Sequence, residues 1–485
     1  MNRRMRIASA RGLVLLAVLG GGALAAPACG ARTGLEVPPI PPTPPIPPTP
    51  PCVITTMPPG TTLSACEAGT TTVSGTVYDP AGKRPLYNVV VYAPSSTPDP
   101  IAPGASCDAC GGVYTGNPLA TTLTDADGRF TLSGVPAGAN VPLVLQVGKW
   151  RRQLVLPSVV ACQDNPQPDH SLTLPRNHTE GDLPSIAVST GGADTLECMF
   201  LRVGIDAAEY GGGADGAGRI HVFQGSGGHG GPGGPGGAHT APNTAPGGPS
   251  SSQALWDSAA DLRRFDMVFL SCEGAETANM NQQALFDYAA AGGRVFASHF
   301  HYAWFDSGPF GQANLATWTP HGNSIGDIDA QIVTTVPGGQ PFPQGVALAH
   351  WLASNGALVG GELPIVAARH NADVGPMNTA SQAWLVADPS APAPGATQYF
   401  TFNTPLGAAP ADQCGQVVYT DLHVGAASGD QPSLPVPEEC ADVDLSPQEA
   451  ALEFVLFNLS SCVTAPGQTP APPPACVRPD APDGG

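Results

Sequence analysis

Residues 266–301 read DMVFLSCEGAETANMNQQALFDYAAAGGRVFASHFH, and this stretch decides the fold. Asp266-Met267-Val268-Phe269-Leu270-Ser271-Cys272 is a short, nearly continuous apolar run, the pattern of a strand buried on both faces. Met280 to Ala291 carries apolar residues at helical spacing and stops at Gly292-Gly293. Arg294-Val295-Phe296-Ala297-Ser298-His299 is a second strand of the buried type. Strand, helix and strand in this order predict a right-handed parallel crossover. The two strands end at Cys272 and at His299.

The same α/β pattern extends from Leu183 to about Val463. Ser185–Thr190 and Arg219–Phe223 are expected strands, Thr195–Val203 a helix ended by Gly204, and Ser252–Arg264 helical. Gln416–Asp421 is a late strand. Ser446-Pro447-Gln448-Glu449 places Ser at the N-cap, Pro at N1 and Glu at N3 of a final helix, Gln448–Leu459. That helix is expected to bury Ala451, Leu452, Val455, Leu456 and Leu459. Residues 225–250 are a Gly-Gly-Pro insertion. It lacks the Lys-Ser/Thr that would make it a phosphate cradle.

Upstream, residues 72–175 read as β structure. Val73–Tyr78 alternates, Asp79-Pro80-Ala81-Gly82 turns, and Val89–Tyr92, Thr121–Thr124, Arg129–Leu132 and Val141–Val147 supply further short strands. Regular strands with such turns predict a small sandwich. Asp125 and Asp127 are explained by turn geometry rather than by calcium, since an EF-hand needs further ligands and a Glu at its twelfth position. Trp150-Arg151-Arg152 is expected to be strand packing with solvated charges. The whole is therefore expected to be multi-domain, a β-sandwich followed at 183–463 by an α/β parallel-sheet domain.

Composition bounds the partners. The 485 residues include 60 Gly and 55 Pro, only 12% are charged, Lys83 and Lys149 are the only lysines, and the net charge is −20. No basic face exists to neutralise phosphates, so nucleic acid and anionic membrane surfaces are excluded as partners. Residues 1–28 are a basic start, a short apolar run (Leu13–Leu19) and small residues, which read as a secretory signal. Ala28-Cys29 resembles a bacterial lipobox, although Ala26 stands where Leu is usual. Ala26-Pro27-Ala28 also fits an ordinary signal-peptidase site. Cys29 is thus the expected lipidation site and its lipid the expected link to a membrane, with plain secretion or a periplasmic location as the alternative. Residues 29–71 form a stalk in which Val37–Pro51 reads as polyproline II, able to span ~45 Å. Residues 464–485 are a Pro-rich tail. Twelve cysteines in an exported chain imply disulfides, with Cys52/Cys66 and Cys462/Cys476 as the expected pairs and a structural role for Cys107 and Cys110.

Two resemblances add to this. Val73-Ser74-Gly75-Thr76-Val77 and Thr124-Asp125-Ala126-Asp127-Gly128-Arg129-Phe130 resemble the carboxypeptidase-regulatory-like domain, which implies a non-catalytic transthyretin-like sandwich. Asp266–Leu270, Tyr288–His299 and Gly415-Gln416-Val417-Val418-Tyr419-Thr420-Asp421-Leu422-His423 resemble the class I glutamine-amidotransferase-like group, nearest its trehalose-utilisation (ThuA-like) proteins. That implies a flavodoxin-like sheet. A glutaminase needs a Cys at the turn after the Gly-Gly strand, where Ser298-His299-Phe300-His301 stands, and an acid two residues after its last His. Here Gly425 stands in that place, so glutaminase activity is not expected.

The chemistry-bearing residues are His299, His301, Asp421 and His423. Members of a pair two apart on a strand end point to one face. If the two strands are neighbours, three imidazoles and a carboxylate converge at the carboxyl edge of the sheet, where open α/β folds bind ligands. Such a set suits a divalent metal, held by His299, His301 and His423, or sugar hydroxyls met by His301, Asp421, Tyr302 and Trp304. Cys272 is a candidate nucleophile with His299 or His423 as base. The function expected first is a non-catalytic surface protein that binds carbohydrate or another cell-surface partner. A ThuA-like carbohydrate-active enzyme with a His-rich site and a Cys-dependent hydrolase are the alternatives.

Overall fold

Thr72–Tyr78 buries Val73 between half-exposed neighbours and Val77 beside a buried Tyr78, and Arg129–Ser133 buries Phe130 and Leu132 between exposed ones. That period of two commits each strand to one face of a sheet. These two strands pair, and with Asp164–Pro166 and Leu172–Thr173 they make a four-stranded sheet. A five-stranded sheet comprises Thr61–Thr62, Val90–Pro94, Pro118–Leu123, Ala137–Val147 and Trp150–Val159. The two sheets bury Val73, Val77, Phe130, Leu132, Val91, Leu143 and Leu145 in one core. The Asp125 carboxylate accepts the backbone N–H groups of Asp127 and Arg129, both at 2.9 Å, so it closes the turn as its sequence suggests.

This computed structural model describes residues 52–477, except 55, 68, 108–111, 227–240, 242–248, 278, 323, 424–429 and 432–433. The signal segment, Cys29, the Val37–Pro51 stalk, Cys110, most of the 225–250 insertion and the end of the tail lie outside the described residues.

The large sheet has ten strands: β1 (Ile186–Ser189), β2 (Tyr210–Gly212), β3 (Ile220–Phe223), β4 (Met267–Leu270), β5 (Arg294–Ser298), β6 (Ser324–Ile332), β7 (Leu363–Arg369), β8 (Ser381–Ala387), β9 (Thr397–Thr404) and β10 (Gly415–Thr420). Their order is β2-β3-β1-β4-β5-β10-β9-β8-β6-β7. The first six are parallel to one another and the last four continue antiparallel. The molecule is therefore β-rich, with several sheets and one large mixed sheet.

Helix α1 (Leu196–Arg202) follows β1, and α2 (Gln282–Ala290) makes the crossover between β4 and β5. The Asn281 side chain caps α2 by accepting the Ala284 N–H, and Gly292 (φ +97°) turns the chain out of it. Helix α3 (Pro343–Ser354) follows β6, and α4 (Pro447–Ser460) closes the fold. The expected 252–264 helix is instead two single turns, Gln253–Trp256 and Ala259–Leu262.

Helix α4 has the full capping box read from Ser446 and Glu449, and it is buried on every side rather than on one face. The reason is its position between the small sheets and the large one. The Trp150 indole donates to Ser460 Oγ at 3.1 Å, Tyr87 stacks on Phe454, and Trp351 donates to the Pro85 carbonyl at 2.6 Å. Residues 72–175 and 183–463 thus share one hydrophobic cluster.

Four disulfides tie the chain: Cys52–Cys476, Cys66–Cys162, Cys107–Cys414 and Cys198–Cys440. They replace both expected pairs, Cys52/Cys66 and Cys462/Cys476. Nearness in sequence misled there, because each bridge joins strand ends or loops brought together only by the fold. Four such bridges are the chemistry of an oxidising, exported environment. Among the described residues no helix is long and apolar enough to cross a membrane.

Candidate functional site: a thiol and two imidazoles at the sheet edge

β4, β5 and β10 run parallel and adjacent, with Leu270 beside Ala297 and Ser298 beside Thr420. Their carboxyl ends therefore open onto one edge, beside the point where the chain order reverses between β1 and β4. Cys272 leaves β4 there, His299 leaves β5, and Asp421 and His423 leave β10. One ligand atom each from Cys272, His299 and His423 lies within 4.8 Å of the other two. Cys272 Sγ is 3.3 Å from His299 Nδ1, and the two imidazoles meet edge to face with centroids 4.7 Å apart.

The expected pairing of His299 with His301 on one face is not what the structure holds. β5 ends at Ser298, and residues 299–304 coil into a 3-10 turn in which period-two alternation no longer applies. His301 is carried into the interior. Its Nδ1 faces the Ser298 carbonyl at 3.0 Å and its Nε2 faces the Thr277 hydroxyl at 3.2 Å. The carbonyl can only accept, so Nδ1 carries the proton and Nε2 accepts from Thr277. Neither nitrogen remains for a ligand.

His299 itself sits at φ +43°, in the left-handed region that a non-glycine residue adopts at a cost. The sharp turn after β5 presents an imidazole, and the thiol beside it comes from the end of the neighbouring β4.

Asp421 holds the site without entering it. Its carboxylate accepts from the Asn371 and Ala372 N–H groups at 2.6 and 3.1 Å, and the Tyr419 hydroxyl lies 2.7 Å from its Oδ1 and 2.8 Å from the His299 carbonyl. Burial pushes Asp421 up to about 7 despite those donors. The Gln448 side chain of α4 donates to the His423 carbonyl at 2.7 Å. Trp304 is wholly buried against Trp256, and the Tyr302 hydroxyl is taken up by Glu276 and His321. Neither aromatic ring offers a face to the cluster.

Asp194 belongs to the site and has no motif to announce it. One of its carboxylate oxygens accepts from the Cys272 N–H at 3.1 Å and from the Ser298 hydroxyl, linking the ends of β4 and β5. Gly191 permits this approach: a Cβ there would lie 2.6 Å from the Cys272 carbonyl and 2.7 Å from that of Asp194. The Thr190-Gly191-Gly192-Ala193-Asp194 turn at the end of β1 was the available sequence signal.

Burial drives the Cys272 thiol up to about 12 and the His299 imidazole down to about 2, and lowers His423 in the same way. These shifts favour the neutral thiol and the neutral imidazoles. His299 Nε2 and His423 Nε2 are both buried and have no hydrogen-bond partner among the described residues. The other convergent set, Cys198, Glu439 and Cys440, is not comparable, because its two sulfurs form a disulfide.

No family model matches the sequence, and no curated protein does. Among solved structures, a cytoplasmic protein from Salmonella typhimurium aligns over 57% of this chain and 98% of its own at 9% identity, with a TM-score of 0.28. A type II cohesin–X-dockerin complex from Acetivibrio cellulolyticus aligns over 24% of this chain and 67% of its own at 17% identity, with a TM-score of 0.15. Similarities this weak carry no functional argument.

Proposed function

We propose that the protein is an exported metal-binding protein whose working centre is Cys272, His299 and His423, set in an amidotransferase-like, flavodoxin-like domain that does not perform glutaminase chemistry. The observation that supports this is the buried convergence of one ligand atom each from Cys272, His299 and His423 within 4.8 Å of one another, with both imidazole Nε2 atoms lacking a hydrogen-bond partner among the described residues. A polar atom left bare in an interior costs about 1–3 kcal/mol, and a bound cation removes that cost. One sulfur and two nitrogens form a donor set for zinc or a similar transition metal. A cation also reverses the local acid–base balance, since binding takes the thiol as thiolate and the imidazoles neutral. Three protein donors leave a fourth position for water or a ligand, as in catalytic zinc sites. Asp194, Tyr419 and Gln448 act as the supporting shell that fixes the strand ends.

Cobalt(II) added to metal-stripped protein tests this directly. The expected result is stoichiometric uptake with tetrahedral visible absorption and a thiolate-to-cobalt charge-transfer band. The band should vanish in Cys272→Ser, and uptake should weaken about 10- to 100-fold or more in His423→Ala. A colourless titration with no heat of binding would overturn the proposal. Prompt alkylation of native Cys272 by iodoacetamide at neutral pH would favour a thiol nucleophile instead.

A further inference from the structure

At the opposite edge of the large sheet, near the amino end of β10, a cavity of about 600 Å³ lies between the β6–α3 connection, β8, β9 and the Thr464–Gly467 segment. Its size is that of a small-molecule site. No Asp, Glu, Lys, Arg or His lines it among the described residues. Its polar lining consists chiefly of uncharged side chains: Gln344, Ser381, Gln382, Asn403, Gln413 and Gln416. All but Gln413 are buried.

Hydrogen bonding fixes which way these amides face. Asn403 Nδ2 donates to the Thr464 carbonyl at 3.3 Å, and a carbonyl can only accept. Asn403 Oδ1 is therefore turned toward Gln416, whose Nε2 donates to it at 3.0 Å. Gln416 Oε1 is left with no donor from the protein. Gln382 is held in the same sense, its Nε2 donating to the Ala383 carbonyl at 2.7 Å. The Ser381 hydroxyl is buried with no partner at all, and Gln344 makes no side-chain hydrogen bond within the protein. The buried rings of Phe342 and Phe402 provide the apolar part of the wall.

We infer that this cavity is a binding site for a neutral, hydroxyl-rich molecule of mono- or disaccharide size. Oriented, unpartnered amide oxygens call for a ligand that brings hydroxyl donors. The absence of any charge in the lining selects against ions. The site is independent of the metal centre, since β10 separates the two by about 20 Å at ~3.3 Å per residue.

Isothermal titration of the purified protein with glucose, maltose, cellobiose and N-acetylglucosamine tests the inference. At least one sugar should bind saturably at millimolar concentration or better. In Ser381→Ala the binding should weaken about tenfold, the worth of one hydrogen bond. The melting temperature should not fall, because that hydroxyl has no partner to lose. Gln344→Leu should weaken binding in the same way, giving a second variant. Binding should survive chelation of metal and His423→Ala, so failure of the metal centre and failure of this site are distinguishable. No binding of any of the four sugars would overturn the inference. So would affinity unchanged in both cavity variants, or affinity lost in His423→Ala alone.

Discussion

His299 carries two burdens at once, a left-handed backbone and an imidazole facing a thiol. Backbone and side chain can be separated by substitution. Asn tolerates φ +43° and Val does not, the left-handed region costing a side chain with a Cβ roughly 1–2 kcal/mol and a β-branched one more. His299→Asn is expected to keep a urea midpoint close to that of the parent, and His299→Val to lower it measurably, while both lose the cobalt band. Equal midpoints for the two variants would contradict a strained turn. At this scale Cys272, His299 and His423 were legible in the sequence as chemistry-bearing residues near strand ends. Their actual grouping was not. His-Phe-His contains no signal that the strand stops at Ser298, and the one-residue difference sends His301 to Thr277 instead of to the cluster. Asp194 was silent for a related reason, since its role follows from the approach of β1 to β4 and not from any spacing along the chain.

Elements were more readable than contacts, because apolar runs and caps are local while partners are not. β1, β3, β4, β5 and β10 lie where buried-type runs predicted them, and α2 and α4 begin at the residues whose side chains cap them. The four antiparallel strands β6 to β9 were unread: β6 and β7 are partly exposed in a Gly/Pro-rich stretch, and in the buried β8 and β9 polar residues such as Gln382, Gln398 and Thr401 interrupt the apolar run. Helix α4 gives a clean test of one element. Its Ser446 Oγ accepts the Glu449 N–H at 3.3 Å while Glu449 Oε2 accepts the Ser446 N–H at 2.8 Å. Ser446→Ala should cost about 1 kcal/mol, within a range of 0.5–2, read as a lower denaturant midpoint. Because Gln448 on the same turn holds the His423 carbonyl, that variant should also weaken cobalt binding. A stability loss with no change in cobalt affinity would show that the first turn of α4 does not position His423.

Over the whole molecule, buried carboxyls set the response to pH. Asp79 and Glu453 face each other where the first sheets meet α4, with Arg84 Nη1 3.6 Å from Glu453. Burial raises both, Glu453 strongly; the charge of Asp79 adds to the rise at Glu453, while hydrogen bonding from Glu453 opposes the rise at Asp79. Burial also raises Glu197, Asp266 and Asp421. A carboxyl whose folded value exceeds its unfolded one binds more protons folded than unfolded, so its contribution is complete below about pH 4.5 and declines as pH climbs toward the folded value. Above about pH 6.5, where the buried imidazoles are neutral folded and unfolded alike, the melting temperature should therefore fall as pH rises through about 7, the folded value of Asp421, and Glu453→Gln should flatten that fall. An identical slope in the variant would show that Glu453 does not contribute to the fall. The chain path has a further consequence. Val53 bridges Val477 beside the Cys52–Cys476 bond, so the polypeptide enters and leaves the folded body at one point. A pull applied along the chain through both ends is carried by that single covalent link, and the sheets between them bear no load. Mechanically the segment between the two cysteines, 424 positions apart in sequence, forms a closed loop hanging from a knot, slack under any tension that leaves the bond intact.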